Sequence, residues 1–103
     1  MMIENLWVGN VPYNWDAVMV QDFFKLKLFG EIEFEDIIFL AAMEKGGKER
    51  FKGCGRLVIY PVDEGATINV DKVLALSGFP VSESLKIRVK MWKDGGLNNV
   101  NIN

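Results

Sequence analysis

Hydrophobic and polar residues alternate along three stretches of the chain, residues 5–9, 53–60 and 85–92, as in β-strands with one buried face. A fourth stretch, residues 31–42, is rich in Ile and Phe and is also predicted to be a strand. The alternation is most regular in residues 85–92, where an apolar set and a mainly basic set occupy opposite faces: Leu85, Ile87, Val89 and Met91 against Lys86, Arg88, Lys90 and Trp92.

Four-residue spacing of apolar residues predicts a first helix after residue 16. Val20, Phe24 and Leu28 lie on one face of this helix, which Asn14 or Asp16 can cap and which runs to about Phe29 before Gly30 ends it. The pattern predicts that its large aromatic residues pack in the core or between helices: Trp15, Phe23, Phe24 and Phe29.

A second helix is predicted to begin at Asp63 or Glu64 and to end at Gly78. Its apolar face consists of Ala66, Val70, Val73 and Leu74. The polar residues 44–52, which include two adjacent glycines, predict a mobile loop between the second and third strands.

The predicted order β-α-β-β-α-β is the split βαβ plan, a ferredoxin-like two-layer α+β sandwich. It has a four-stranded antiparallel sheet with both helices on one face, so the other face is open to a ligand. We assign residues 1–92 to this domain. Residues 93–103 form a Gly/Asn-rich tail that we expect to be flexible or to cover the sheet through Leu97, Val100 and Ile102.

Length and composition narrow the classes of function. A chain of 103 residues has room for one core, and its net charge of -2 means that binding to a polyanion would depend on a local basic patch. With no His and a single Cys, Cys54, we expect no disulfide, metal or cofactor. The sequence shows neither a membrane span nor a signal peptide, which predicts an intracellular protein, nuclear, cytoplasmic or in an organelle.

Two motifs resemble those of the RNA recognition motif family. Residues 6–11, LWVGNV, match its hexamer, and residues 52–59, KGCGRLVI, lie where its octamer belongs, with Cys54, Arg56 and Ile59 in place of aromatic residues. The resemblance covers about residues 4–92. The segments GEIEFEDI and KGCG are similar to domains of the heterogeneous nuclear ribonucleoprotein M type.

This resemblance implies a single-stranded RNA-binding module that acts in RNA processing or regulation within a larger protein or assembly. The base-stacking platform of the family falls on Trp7, Cys54 and Arg56, of which only Trp7 keeps an aromatic ring. The Arg56 guanidinium can stack on a base or bind a phosphate through two hydrogen bonds. The rest of the predicted RNA site comprises Asn10, Lys52, Lys86, Arg88, Lys90 and Trp92.

Several features have a purely structural interpretation. The tail could cover Trp7, and the cations of residues 85–92 could serve to prevent edge-to-edge pairing of an outer strand. Cys54 is interpreted as a small strand residue without chemistry, because nothing in the sequence gives its thiol a base partner. The acidic cluster of Glu31, Glu33, Glu35 and Asp36 is typical of a solvated strand edge and would repel RNA locally.

Two other functions stay open at this stage. A protein-binding member of the same family would use the helices, the run of residues 37–40, which we expect to be exposed, or Phe79 in the loop before the last strand. The Arg of the family's Arg-x-Phe peptide motif is, however, replaced by Ser77. A small enzyme with acylphosphatase-like architecture is the third hypothesis. Without His or a phosphate-binding glycine loop, we expect the chain not to be an enzyme.

Overall fold

The computed structural model describes residues 2–45 and 49–93. Its strands and helices follow one another in the predicted order and are β1 (Glu4–Gly9), α1 (Ala17–Leu28), β2 (Asp36–Glu44), β3 (Arg50–Tyr60), α2 (Val70–Leu74) and β4 (Arg88–Met91). The predicted tail, apart from Lys93, and the Gly46-Gly47 pair of the predicted mobile loop lie outside the described residues.

The four strands form one open antiparallel sheet in the order β2-β3-β1-β4. β1 is therefore central, between β3 and β4, and the structure confirms the split βαβ plan expected from the sequence. No helix in the described part of the chain is long and apolar enough to cross a membrane.

The core lies between one face of the sheet and the helices. Leu6 and Val8 of β1 are fully buried in it, as the alternation of β1 predicts. Helix α1 contributes the three residues that the four-residue spacing identified, Val20, Phe24 and Leu28, each at most 1% exposed. Since the two patterns meet in one cluster, hydrophobic burial determines which face of the sheet is covered.

Helix α1 begins and ends close to the predicted positions. The Asp16 side chain accepts a hydrogen bond from the Met19 N–H at 2.8 Å and so caps the first turn. The helix ends at Leu28, and Gly30 follows with a φ of 83°. The expected core position of Phe29 is wrong, because Phe29 leaves the helix in an extended conformation and is 82% exposed.

Strand β2 begins five residues later than predicted. The N–H groups of Glu31 and Ile32 both donate to the Leu28 carbonyl, so residues 29–32 turn instead of extending. The acidic residues Glu31, Glu33 and Glu35 consequently lie before the strand and not along its edge. The predicted strand start at residue 31 is wrong, because the N–H groups of residues 31 and 32 bond to the last residue of the helix and not to a neighbouring strand.

Strand β3 begins at Arg50, inside the segment predicted to be a loop. Its first residues pair with the end of β2, Arg50 opposite Glu44 and Phe51 opposite Met43. An opposite-charge pair and an apolar pair across two strands both favour pairing. The Phe51 ring also meets the Phe39 ring edge-on, with centroids 6.2 Å apart.

Helix α2 is shorter than predicted and begins later. The Asp63 side chain accepts from the Gly65 N–H and closes a local turn, and Asn69 caps the helix by accepting from the Asp71 N–H. Gly65 and the β-branched residues that follow it disfavour an earlier start.

Strand β4 is also shorter than predicted. The Ile87 N–H donates to the Phe79 carbonyl and Lys86 pairs with Pro80, both in the preceding loop, so these residues do not join the strand.

Candidate nucleic-acid interface

The register of the sheet places residues from all four strands in one row on the open face. Trp7 of β1 is directly opposite Arg56 on one side and Lys90 on the other, and Arg56 is in turn opposite Leu40. Directly paired residues of neighbouring strands project from the same face of a sheet. Because Leu6 and Val8 point into the core, this row points away from it.

Trp7 lies on the open face with its indole folded over Gly9. A Cβ atom built on Gly9 would overlap the ring, with the Trp7 atoms Cζ2 and Cζ3 only 2.6 and 2.7 Å away and Cη2 closer still. Glycine is thus required at position 9 for the indole to rest on the backbone. Trp7 is half-buried and is not a member of the core cluster.

Each of two indoles on this face has a cation beside it. Lys90 Nζ lies 5.4 Å from the ring centroid of Trp7, and the Arg56 guanidinium carbon lies 5.2 Å from that of Trp92. Both distances are within the range of cation–π attraction, about 6 Å. The backbone N–H of Trp92 donates to the backbone carbonyl of Asn5 at 3.3 Å, which extends the pairing of β4 to β1 by one residue. Aromatic planes and positive charges therefore alternate across the sheet.

Asn10, Lys86 and Arg88 form a second group, at the end of β1. Asn10 has a φ of 57°, which Asn tolerates better than most residues, and its Nδ2 donates to the Lys86 carbonyl at 3.1 Å. All three residues line an open cleft of about 530 Å³. Arg88 is opposite Gly9 in the register, so this cleft adjoins the part of the open face that holds Trp7. Lys86 itself lies outside β4, contrary to its predicted position in the strand.

Cys54 and Lys52 lie farther toward the start of β3. Cys54 is half-buried, and this burial raises the pKa of its thiol, while the positive charge of Lys52 offsets part of the rise. Lys52 is exposed and lines a separate cleft of about 490 Å³ together with Tyr13 and Phe51. At neutral pH Cys54 is a small neutral side chain on the open face.

The outward positions of β1, β3 and β4 contain no carboxylate, whereas Arg56, Arg88 and Lys90 all occupy them. The acidic residues Glu31, Glu33 and Glu35 precede β2, at the opposite edge of the sheet. A local basic patch thus exists on a chain whose net charge is -2. Such a patch can attract a polyanion although the whole molecule is acidic.

The β2 side of the open face is apolar. Leu40 is 46% exposed there, and Val58, although it faces outward, is only 7% exposed between Asn5 and Ile38 in the register. The predicted exposure of the whole run of residues 37–40 is wrong, because Ile37 and Phe39 belong to the core. Both faces of β2 are apolar, so alternation could not distinguish them.

The candidate site therefore combines Trp7, Arg56, Lys90 and Trp92 at its centre with Asn10, Lys86 and Arg88 at one end and Lys52 and Cys54 beside it. Within residues 2–45 and 49–93, no three Cys, Asp or Glu side chains are grouped closely enough to hold a metal ion. Comparison of the sequence with protein-family models finds no match, and comparison with curated proteins finds no significant match. Geometry and chemistry are thus the grounds for a functional proposal.

Proposed function

We propose that the open face of the sheet binds single-stranded RNA, with one base stacked on Trp7 and the neighbouring phosphates held by Lys90 and Arg56. The observation that supports this proposal best is the row in which Trp7 lies between these two cations. Single-stranded RNA presents unpaired bases next to a charged backbone. Stacking on aromatic rings and arginine planes is its usual mode of recognition by proteins.

The cation beside each indole supports a specific binding mechanism. A base that stacks on Trp7 brings its phosphates close to Lys90, whose ammonium group lies 5.4 Å from the ring. A base stacked on the side of Trp7 that does not rest on Gly9 would displace the Lys90 ammonium group from the ring, and the displaced group would remain close enough to contact a phosphate. Arg56 can do the same beside Trp92, where its guanidinium can also bind a phosphate through two hydrogen bonds.

The distribution of charge suggests a path for the strand. From Trp7, whose ring covers Gly9, it would reach the cleft lined by Asn10, Lys86 and Arg88, to which Glu83 adds a carboxylate. The apolar side near Leu40 offers no phosphate contact, so few nucleotides would be bound. Since stacking contributes ~1–3 kcal/mol per base and only Trp7 remains of the family's three platform aromatics, a modest affinity is expected. We therefore propose that the domain acts in RNA processing or regulation within a larger protein or assembly.

An amide-resolved NMR titration with the hexanucleotides rU6, rA6 and rC6 at low salt tests this proposal. The proposal requires shifts at Trp7, Arg56, Arg88 and their neighbours. In Trp7→Ala the loss of ~1–3 kcal/mol of stacking should weaken binding about 5- to 150-fold. Phe29→Ala is the matched control, because Phe29 is 82% exposed and lies outside the sheet. Shifts confined to the helices, or equal affinities for Trp7→Ala and the wild type, would contradict the proposal.

The loop before β4 is a weaker candidate for binding a peptide. Phe79 is half-buried, and its ring packs edge-on against Phe23 with centroids 5.6 Å apart. Lys27 Nζ lies above the same ring, 4.2 Å from its centroid. Because Phe79 already packs against Phe23 and Lys27 of α1, its ring is less available to an aromatic side chain of a partner than an unpaired ring would be.

A further inference from the structure

Apolar side chains are exposed at the end of α1, on a part of the surface remote from the row around Trp7. Phe29 is 82% exposed, Leu26, three residues earlier, is 74% exposed, and Val62 after β3 is 42% exposed. Residues three apart at the end of a helix are neighbours on its surface. Single exposed apolar residues are ordinary, but a contiguous group that includes a phenylalanine commonly marks an interaction site.

Two of these residues, Phe29 and Val62, border a groove of about 640 Å³. Phe29 and Val62 line it, and Ile32 and Phe34, which are half-buried and pack against the core, line it as well. Gly30 opens the groove, because a Cβ atom at this position would meet no atom within 4 Å. The groove thus combines residues anchored in the core with an aromatic ring that has almost no packing partner.

Carboxylates surround this groove. Glu31 and Glu33 line it, and Asp63 and Glu64 follow Val62 in the chain. The cations that flank this region are already paired, Lys72 with Glu31 at 3.4 Å and Lys25 with Asp36 at 3.0 Å. Within the described residues, Glu33, Asp63 and Glu64 make no ion pair. The rim is therefore negative, which opposes binding of nucleic acid there.

We propose that this groove docks a basic peptide segment of a partner protein that carries a bulky apolar side chain. The apolar side chain would lie against Phe29 and Val62, and Lys or Arg residues on either side would face the carboxylates of the rim. Burial of an exposed aromatic ring supplies affinity, and complementary charge supplies orientation and a faster association rate. The site is independent of the proposed RNA-binding face, so both ligands can be bound at once.

The proposal can be tested by titrating the isotope-labelled chain with synthetic peptides capped at both ends. The probe is a hexapeptide of sequence Lys-Arg-Leu-Trp-Arg-Lys, with one control in which Gly replaces Leu and Trp and another in which Glu replaces every basic residue. We expect shifts of the amides of residues 29–34 and of Val62 with the probe, weakening with added salt, and much smaller shifts with either control.

Two pairs of variants separate the apolar from the electrostatic contribution. Phe29→Ser should weaken probe binding at least about tenfold, which corresponds to ~1.4 kcal/mol, whereas Tyr13→Ser, at an aromatic residue 77% exposed elsewhere, should leave it unchanged. Glu33→Lys should weaken binding, and Glu83→Lys, at an exposed position in the loop before β4, should not. An unchanged amide spectrum away from the mutated site confirms folding of each variant.

Three outcomes would overturn the proposal. The first is binding of the probe by Phe29→Ser with wild-type affinity, and the second is a set of probe-induced shifts around Trp7 instead of residues 29–34. The third is concentration-dependent self-association that maps to the groove without peptide, which would identify a second copy of this chain as the occupant. None of these outcomes affects the hexanucleotide titration, so the proposed RNA binding is tested separately.

Discussion

The indole of Trp7 rests on the backbone of Gly9, so closely that no side chain fits at position 9. The two residues lie on the same strand two positions apart, so they share the open face of the sheet. Gly9 is also opposite Arg88 in the register. The absence of a side chain at this one position therefore sets the orientation of the proposed stacking ring and places it beside Arg88.

Gly9→Ala should displace the Trp7 ring from the sheet. Overpacking of this kind typically destabilises a protein by about 1–3 kcal/mol, and a ring that has swung away no longer presents the same face to a base. We expect a lower free energy of unfolding in urea, a shifted Trp7 indole N–H resonance and weaker hexanucleotide binding. Gly65→Ala is the control, because its Cβ would meet only the Asp63 side chain, at 3.7 Å. Wild-type behaviour of Gly9→Ala in all three measurements would contradict this arrangement.

Lys90→Met should weaken RNA binding and reduce its salt dependence. If Lys90 neutralises one phosphate, its loss should change the slope of the logarithm of the binding constant against the logarithm of salt concentration by about 0.7, the value for single strands. Lys27→Met is the control, because Lys27 also lies over an aromatic ring, Phe79, but belongs to the helix layer. Equal slopes for the two variants would show that Lys90 does not contact a phosphate.

Gln21 of α1 satisfies a backbone group at the free edge of the sheet. Its Oε1 accepts a hydrogen bond from the Phe39 N–H at 2.9 Å, and Phe39 lies on the edge strand β2. Gln21→Ala should lower the free energy of unfolding by about 0.5–1.5 kcal/mol and accelerate hydrogen exchange of the Phe39 amide. Gln21→Glu keeps an acceptor oxygen and should retain most of the protection. Unaltered exchange at Phe39 in Gln21→Ala would mean that the bond contributes nothing.

Asp36 should make stability depend on pH in the acidic range. The hydrogen bond from the Lys25 side chain, followed by that from the Ile37 N–H, lowers the pKa of Asp36 below its ordinary value of 3.8. A folded-state pKa below the unfolded value stabilises the fold above the unfolded value, and this contribution is lost as pH falls through the folded-state pKa. The Asp36 side chain is 47% exposed, so solvent screening limits the contribution of the ion pair to ~0.2–1 kcal/mol.

Urea unfolding at about pH 6 and about pH 2.5 measures this contribution. Asp36→Asn should lose less stability between the two pH values than the wild type does. In a Lys25→Met background the effect of Asp36→Asn should shrink without vanishing, because the hydrogen bond from the Ile37 N–H remains. An identical loss of stability in Asp36→Asn and the wild type would exclude a role for the pair.

The elements with a clear period were predictable from the sequence. Val20, Phe24 and Leu28 follow the helical repeat, and all three are buried as expected. Boundaries were predicted less well, because they depend on which distant group takes up a backbone hydrogen bond. Ile87 pairs with Phe79 in the loop after α2 and not with β1, which shortens β4. Nothing in the alternation of residues 85–92 reveals that competition.

Phe29 shows the same limit for a single side chain. A large aromatic residue at the end of an amphipathic helix suggests packing, yet the helix ends at Leu28 and the turn at Gly30 directs the ring into solvent. Ile32 and Phe34 pack against the core in its place. The path of the backbone after the helix decides that Ile32 and Phe34 pack against the core and that Phe29 does not.

The sequence by itself determined the order of strands and helices, the residues of β1 and α1 that enter the core and the presence of basic residues on one face of the last strand. Each of these follows from local periodicity, which depends only on the geometry of a strand or helix. The tertiary structure alone decided that Trp7, Arg56 and Lys90 lie in one row, that Trp92 reaches Arg56, and that Phe29 is exposed beside carboxylates. Those relationships depend on strand register and on turns between elements, where residues far apart in the chain compete for the same partners.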